Sequence, residues 1–262
     1  MVIPSSEELK VYDDDARLDI HSDEARYQPV EGIVHRYPGK LLLFPTVDCL
    51  SYCRFCYRSG QRVKALLSEE KLQAAFAYIR ENEIRDVVVT GGEPLMMPLD
   101  RIDYILSSLR AIESVEIIRI GTRALAYAPQ VITERLVKIL ARHKPIFVKN
   151  SFVHPREIVS ITEEKLAMLA DAGIVLLQQG PLLKGVNDSS AVLKELYEKL
   201  ARNRVLPYYL GFGLVSPGTR HFTVHKEEAI SIIDELENKT SGFCIPTLIT
   251  KDSSNNKTRK RY

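Results

Sequence analysis

Cys49-Leu50-Ser51-Tyr52-Cys53-Arg54-Phe55-Cys56 sets three cysteines at C-x3-C-x2-C spacing, directly after the apolar run Leu41-Leu42-Leu43-Phe44. Three thiolates on one tight loop can ligate three irons of a 4Fe-4S cubane and leave the fourth iron without a protein ligand. An open iron is a place for chemistry. Zinc usually draws four ligands from paired knuckles, and the remaining cysteine, Cys244, lies far away in an apolar run, where it reads as a buried core thiol. A disulfide fits poorly, because the thiols crowd one loop and residues 1–10 are polar and acidic, unlike a secretory signal.

Working outward, 262 residues with 45% hydrophobic and 27% charged composition suit one globular unit with a sizeable core. A net charge of +2 supplies no global field that would recruit nucleic acid or a membrane. No apolar run approaches the roughly 20 residues of a membrane-spanning helix. These features imply a cytoplasmic protein in reducing surroundings. The pattern divides into an irregular lead-in over residues 1–34, with Asp13-Asp14-Asp15 as solvated surface, a folded unit over 35–250 and a basic tail over 251–262.

Periodicity within the folded unit alternates. Strands are expected at 41–45, 87–90, 115–120, 145–150, 174–178, 206–210 and 243–250, with helices near 68–80, 99–111, 130–142, 162–171, 188–203 and 225–237. Strands alternating with helices imply a parallel sheet covered by helices, and six right-handed βα units imply a partial (β/α)6 TIM-like barrel. Active sites of such barrels lie at the C-terminal ends of the strands. The cysteine loop follows the first strand, and Gly91-Gly92-Glu93-Pro94 follows the second. Two glycines let backbone approach a ligand, and a carboxylate can bind an ammonium.

The cysteine spacing, with an aromatic before the last cysteine, resembles the signature of the radical S-adenosylmethionine (SAM) enzymes. In that family the open iron chelates the amino and carboxylate groups of SAM, and electron transfer releases a 5'-deoxyadenosyl radical. The resemblance implies that Cys49, Cys53 and Cys56 hold the cluster and that Phe55 lies near the adenine. It gives Gly91, Gly92 and Glu93 to the SAM amino group. Arg119, in Ile118-Arg119-Ile120-Gly121-Thr122-Arg123, becomes a wall of the SAM pocket.

A second resemblance runs from residue 35 to 247. His35-Arg36-Tyr37-Pro38, Arg119-Ile120-Gly121-Thr122-Arg123, Pro129-Gln130-Val131-Ile132-Thr133, His154-Pro155, Leu182-Leu183-Lys184-Gly185-Val186-Asn187-Asp188, Pro207-Tyr208-Tyr209, His221-Phe222 and Ser241-Gly242-Phe243-Cys244-Ile245-Pro246-Thr247 are similar, in this order, to the lysine 2,3-aminomutase family. That family adds pyridoxal 5'-phosphate (PLP) to a radical SAM barrel and moves an amino group from C2 to C3 of an amino acid. Carried over by position, Arg36, Tyr37, Lys40 and Gln179 contact PLP, Lys40 standing where an arginine is usual. Arg58 pairs with the substrate carboxylate. Lys257, ending the run Asp252-Ser253-Ser254-Asn255-Asn256, is the lysine that holds PLP.

Departures from the pattern shape the expected substrate. Lysine-specific members recognise the distal ammonium with two aspartates, and here Leu214 and Lys251 stand in their places. A shorter, apolar or acidic amino acid fits better, and Lys251 could bind a second carboxylate. The family's long N-terminal helices and C-terminal cysteine-bearing segment have no counterpart here. The expected partners are an amino acid substrate and a one-electron reductant such as flavodoxin or ferredoxin, with no membrane and no nucleic acid. Two alternatives stand beside this reading. One is a PLP-independent radical SAM enzyme on the same scaffold, which would lack the Arg36, Tyr37, Lys40 and Gln179 set. The other is a protein whose cysteines hold a structural metal and whose tail, Lys257 to Arg261, contacts nucleic acid without stacking aromatics.

Overall fold

β-Branched runs such as Val87-Val88-Val89 favour extended backbone, and hydroxyl residues ahead of the intervening segments start helices, so strands and helices alternate along the chain. The structure, a computed structural model, describes residues 3, 5–10, 26–56, 66–213, 215–251 and 257–259. Its strands are β1 (Ile33–Tyr37), β2 (Lys40–Thr46), β3 (Asp86–Gly91), β4 (Ile117–Thr122), β5 (Ile146–Asn150), β6 (Val175–Pro181), β7 (Val205–Gly211), β8 (Thr247–Lys251) and β9 (Lys257–Arg259). The helices are α1 (Glu69–Glu81), α2 (Leu99–Arg110), α3 (Ala124–Tyr127), α4 (Glu134–Arg142), α5 (Ser160–Asp171), α6 (Ser190–Arg202) and α7 (Lys226–Glu237). Ser68, Thr133 and Ser189 each accept a backbone N–H at a helix start.

All nine strands lie in one sheet in chain order. From β2 to β8 every pairing is parallel, while β1 and β9 pair antiparallel at the two edges. Sequential parallel strands with a helix in each crossover give the expected open TIM-like barrel. Val87, Val89, Ile118, Ile120, Ile146 and Val148 are buried in one core with helix residues such as Leu72, Ile105 and Leu136. Because side chains alternate along a strand, the residues between them, Val88, Arg119, Gly121 and Phe147 among them, face the lumen. Among the described residues no helix is long and apolar enough to cross a membrane.

Three boundaries differ from the sequence reading. His35-Arg36-Tyr37-Pro38-Gly39-Lys40 looks like a turn, yet Ile33–Tyr37 is a strand folded back on β2 through Pro38-Gly39, with Gly39 at φ 69°. Tyr37 pairs with Lys40, and His35 Nδ1 meets the Tyr78 hydroxyl of α1 at 2.8 Å, so the hairpin is anchored on both sides. The last barrel strand begins at Thr247, because Ser241 caps a 3-10 turn over Gly242–Cys244. Lys257–Arg259, inside the basic tail, adds to the sheet as β9 with Lys257 opposite Lys251.

Candidate active site at the mouth of the barrel

The end of β2 and the end of β3 touch backbone to backbone. Gly92 N donates to Thr46 O at 2.8 Å and Glu93 N donates to Asp48 O at 2.7 Å. A Cβ on Gly91, whose φ is +122°, would lie 2.1 Å from Thr46 O, and one on Gly92 would lie 2.0 Å from Asp48 O. Only glycine fits at either position. The glycine pair therefore seats the stalk of the cysteine loop, which leaves β2 at Thr46 and reaches Cys49 three residues later. In the structure they clear space for Thr46 and Asp48.

Glu93 is 2% exposed and accepts four hydrogen bonds. Thr122 Oγ1 (2.6 Å) and Leu95 N (3.2 Å) donate to Oε1, and Arg123 N (2.8 Å) and Tyr127 Oη (3.2 Å) donate to Oε2. Burial raises the Glu93 carboxyl above its ordinary range, and those four donors pull it back toward the ionised form. Burial and the nearby carboxylate hold the Tyr127 phenol well above its usual value, so it stays a donor. A carboxylate offers about four acceptor sites, and here all are taken. These contacts join the ends of β3 and β4.

Arg123 follows β4 and carries its charge toward the cysteine loop. Its guanidinium carbon lies 5.2 Å from the Phe55 ring centroid, and Nη2 donates to Glu157 Oε1 at 2.6 Å. Glu157 Oε2 in turn accepts from Val153 N at 2.8 Å. Phe55 also packs against a small cluster of Val153, Leu183 and Phe222, which come from the connections after β5, β6 and β7. The cysteine loop thus crosses the mouth from β2 to the far side. Arg54 fixes it there, pairing with Glu8, donating to Ser5 Oγ at 2.8 Å and lying 5.1 Å from the Phe222 ring centroid. Burial pushes the Glu8 carboxyl up, but the bonds from Arg54 and Ser5 outweigh it and hold it at about 2.

Cys49, Cys53 and Cys56 are free and partly buried on this loop, while Cys244 is buried in the core. Burial, then Glu93 and the two neighbouring cysteines, push the Cys49 thiol up to about 12. Burial also raises Cys53, with Arg123 opposing. Three soft donors held so close become thiolates readily only around a cationic centre. Three cysteines at C-x3-C-x2-C spacing suit three corners of a cubane and leave the fourth open.

The other expected site residues separate into groups. Arg119 lies in the lumen below the mouth, where Nε and Nη2 grip Asp86 at 2.9 and 2.6 Å, so Arg123 rather than Arg119 borders the cysteine loop. Arg36 lies 5.4 Å from the Tyr27 ring centroid and 5.6 Å from that of Tyr37, and Lys40 Nζ lies 4.5 Å from the Tyr37 centroid. Gln179 is partly buried on β6. Arg58 and Leu214 lie outside the described residues, as do the side chains of Lys251 and Lys257. Thr122 and Arg123 belong to the stretch Ile118–Arg123 singled out in the sequence, whereas Tyr127 and Glu157 carry no signal there.

Three outcomes follow from this geometry. Glu93→Gln turns an acceptor into a donor facing N–H or O–H groups, and should lower stability to urea by about 2–3 kcal/mol, against about 1 kcal/mol for Tyr127→Phe. In metal-free protein at pH 8, Cys49 should react with iodoacetamide about a hundredfold more slowly than a small thiol, read by peptide mass spectrometry. Because the Glu8 carboxyl is lowered in the folded protein, its contribution to stability is present above its ordinary range and is lost as pH falls from about 4.5 toward 2. Glu8→Gln should flatten that part of the stability curve, and an unchanged slope would exclude the Arg54–Glu8 link.

A model of the radical SAM superfamily matches residues 43–196. L-lysine 2,3-aminomutase of Clostridium subterminale is 39% identical over 251 residues, an alignment covering 94% of this chain and 60% of that protein. Glutamate 2,3-aminomutase of Clostridioides difficile is 38% identical over 251 residues, covering 94% of this chain and 58% of that one. The chain thus spans about three-fifths of the length of these curated relatives. Among solved structures, Streptococcus suis SuiB bound to S-adenosylmethionine superposes with a TM-score of 0.62 at 18% identity, covering 82% of this chain and 51% of that one. Methylornithine synthase superposes with a TM-score of 0.51 at 14% identity, covering 80% and 63%. These two likenesses concern the fold. The sequence match takes in the end of β2, the cysteine loop and all of β3 to β6, and on it the chain belongs to the radical SAM superfamily.

Proposed function

We propose that this chain is a PLP-dependent radical SAM 2,3-aminomutase that forms a β-amino acid from an amino acid other than lysine. The observation that carries the reading is the β1–β2 hairpin, where Arg36 and Lys40 flank the Tyr37 ring beside the barrel. Neither cation is needed by a cluster held on the cysteine loop. Two cations on a rigid hairpin suit a phosphate, and the similarity to lysine and glutamate 2,3-aminomutases over 94% of the chain supports the same use.

Bound together, the cluster and SAM supply a carbon radical able to take a hydrogen from the substrate, and PLP supplies a π-system through which nitrogen can pass. In this chain, Cys49, Cys53 and Cys56 would hold the cluster, and Phe55, backed by Arg123, would border the adenine. Gly91 and Gly92 seat the loop, and Glu93 orients Arg123 through its backbone N–H. Arg36, Tyr37, Lys40 and Gln179 would hold PLP, Arg58 would orient the substrate carboxylate, and Lys257 would carry PLP between turnovers. Leu214 and Lys251 argue against an ammonium-bearing side chain. A folded unit over 35–250, a cytoplasmic setting and a flavodoxin- or ferredoxin-type reductant complete the proposal.

The test is borohydride reduction of anaerobically purified, PLP-incubated protein, followed by peptide mass mapping. A phosphopyridoxyl group on Lys257, lost in Lys257→Ala and weakened about ten- to a hundredfold in PLP affinity by Arg36→Ala, is expected. An intact cluster that cleaves SAM with no adduct on any lysine would point instead to a PLP-free radical enzyme.

A further inference from the structure

Lys149 is the last residue but one of β5, between Val148, 0% exposed, and Asn150, 1% exposed, both turned away from the lumen. Alternation turns Lys149 inward. Its strand neighbours are Gly121 of β4 and Leu177 of β6. Gly121 has no side chain to fill the space: a Cβ there would lie 3.5 Å from Lys149 Cε and 3.1 Å from Thr90 Oγ1. The lysine stem therefore runs across a bare stretch of β4, one residue below Thr122 and the Glu93 junction.

No hydrogen bond or ion pair reaches the Lys149 ammonium from any described residue. The acid on the lumen side of β3, Asp86, is gripped by both ends of the Arg119 fork. Burial, with the charges of Arg119 and Lys40, holds the Lys149 ammonium down at about 8, so roughly nine-tenths remains charged at pH 7. A half-buried cation facing further cations is costly unless an anion joins it. Such groups cluster at binding sites.

We propose that Lys149 is the seat for the side-chain carboxylate of a dicarboxylic amino acid bound in the lumen, with the Arg119–Asp86 pair beneath it. The inference rests on the aminomutase reading and specifies its substrate. In that reading Arg58 and PLP take the α-carboxylate and the amino group, which leaves the side-chain end of the substrate for Lys149. A carboxylate there gains a charge-assisted bond and relieves the cation cluster, whereas an ammonium is repelled. The phosphate of PLP shares this chemistry, and the test separates the two anions.

The experiment is anaerobic calorimetric titration of the protein loaded with cluster, SAM and PLP, comparing L-glutamate with L-glutamine and L-aspartate with L-asparagine. The wild type should prefer one acid over its amide by about tenfold or more. Lys149→Met should abolish that preference with PLP content unchanged, and Lys149→Arg should keep part of it. Removing an unpaired half-buried charge leaves the fold intact, which circular dichroism checks. A wild type without preference, a Lys149→Met protein that keeps it, a loss of PLP in that variant, or a borohydride-trapped adduct on Lys149 would each overturn the assignment. A wild type that prefers the acid yet forms no β-amino acid would overturn the aminomutase reading alone and leave the seat standing.

Discussion

Two backbone strands cannot approach within hydrogen-bonding distance at their ends if either carries a Cβ in the gap, and Gly91-Gly92 removes both at the contact with Thr46 and Asp48. Everything at the mouth depends on that approach. It fixes the first residues of the cysteine loop, and it brings Glu93 under β4, where Thr122, Arg123 and Tyr127 converge on one carboxylate. A buried charge with every acceptor site filled is rigid, because any movement leaves a donor or an acceptor without a partner.

From this junction the loop extends across the mouth and is held at its far end by different forces. Phe55 lies between the Arg123 guanidinium and an apolar cluster, and Arg54 ties the loop to Glu8. Both arginines act as staples with planar, multidentate heads, a task for which lysine is poorly shaped. Cys49 and Cys53 are disfavoured as anions until a positive centre arrives.

The charge pattern changes with depth. At the mouth the carboxylates are matched, Glu8 by Arg54, Glu157 by Arg123 and Glu93 by four donors, whereas deeper in the barrel Lys149 feels the charges of Arg119 and Lys40 while Asp86 is taken by Arg119. Neither half of the pattern is visible along the chain, since Lys40, Asp86, Arg119 and Lys149 belong to four separate strands.

Local chemistry was enough to determine the cysteine loop, the alternation of β-branched strands with capped helices, and the barrel class, because spacing, propensity and period act over neighbouring residues. The same local view mistook Ile33–Tyr37 for part of a lead-in and turn, since a hairpin edge strand shows its identity only when a partner such as β2 is beside it. It also could not say which residues of Ile118–Arg123 face the mouth, nor what surrounds Glu93. Tertiary structure decided those roles: strand alternation sends Arg119 down to Asp86, and packing of two strand ends closes four donors around Glu93. Partners that settle a buried charge come from distant strands, and only the assembled sheet brings them within reach.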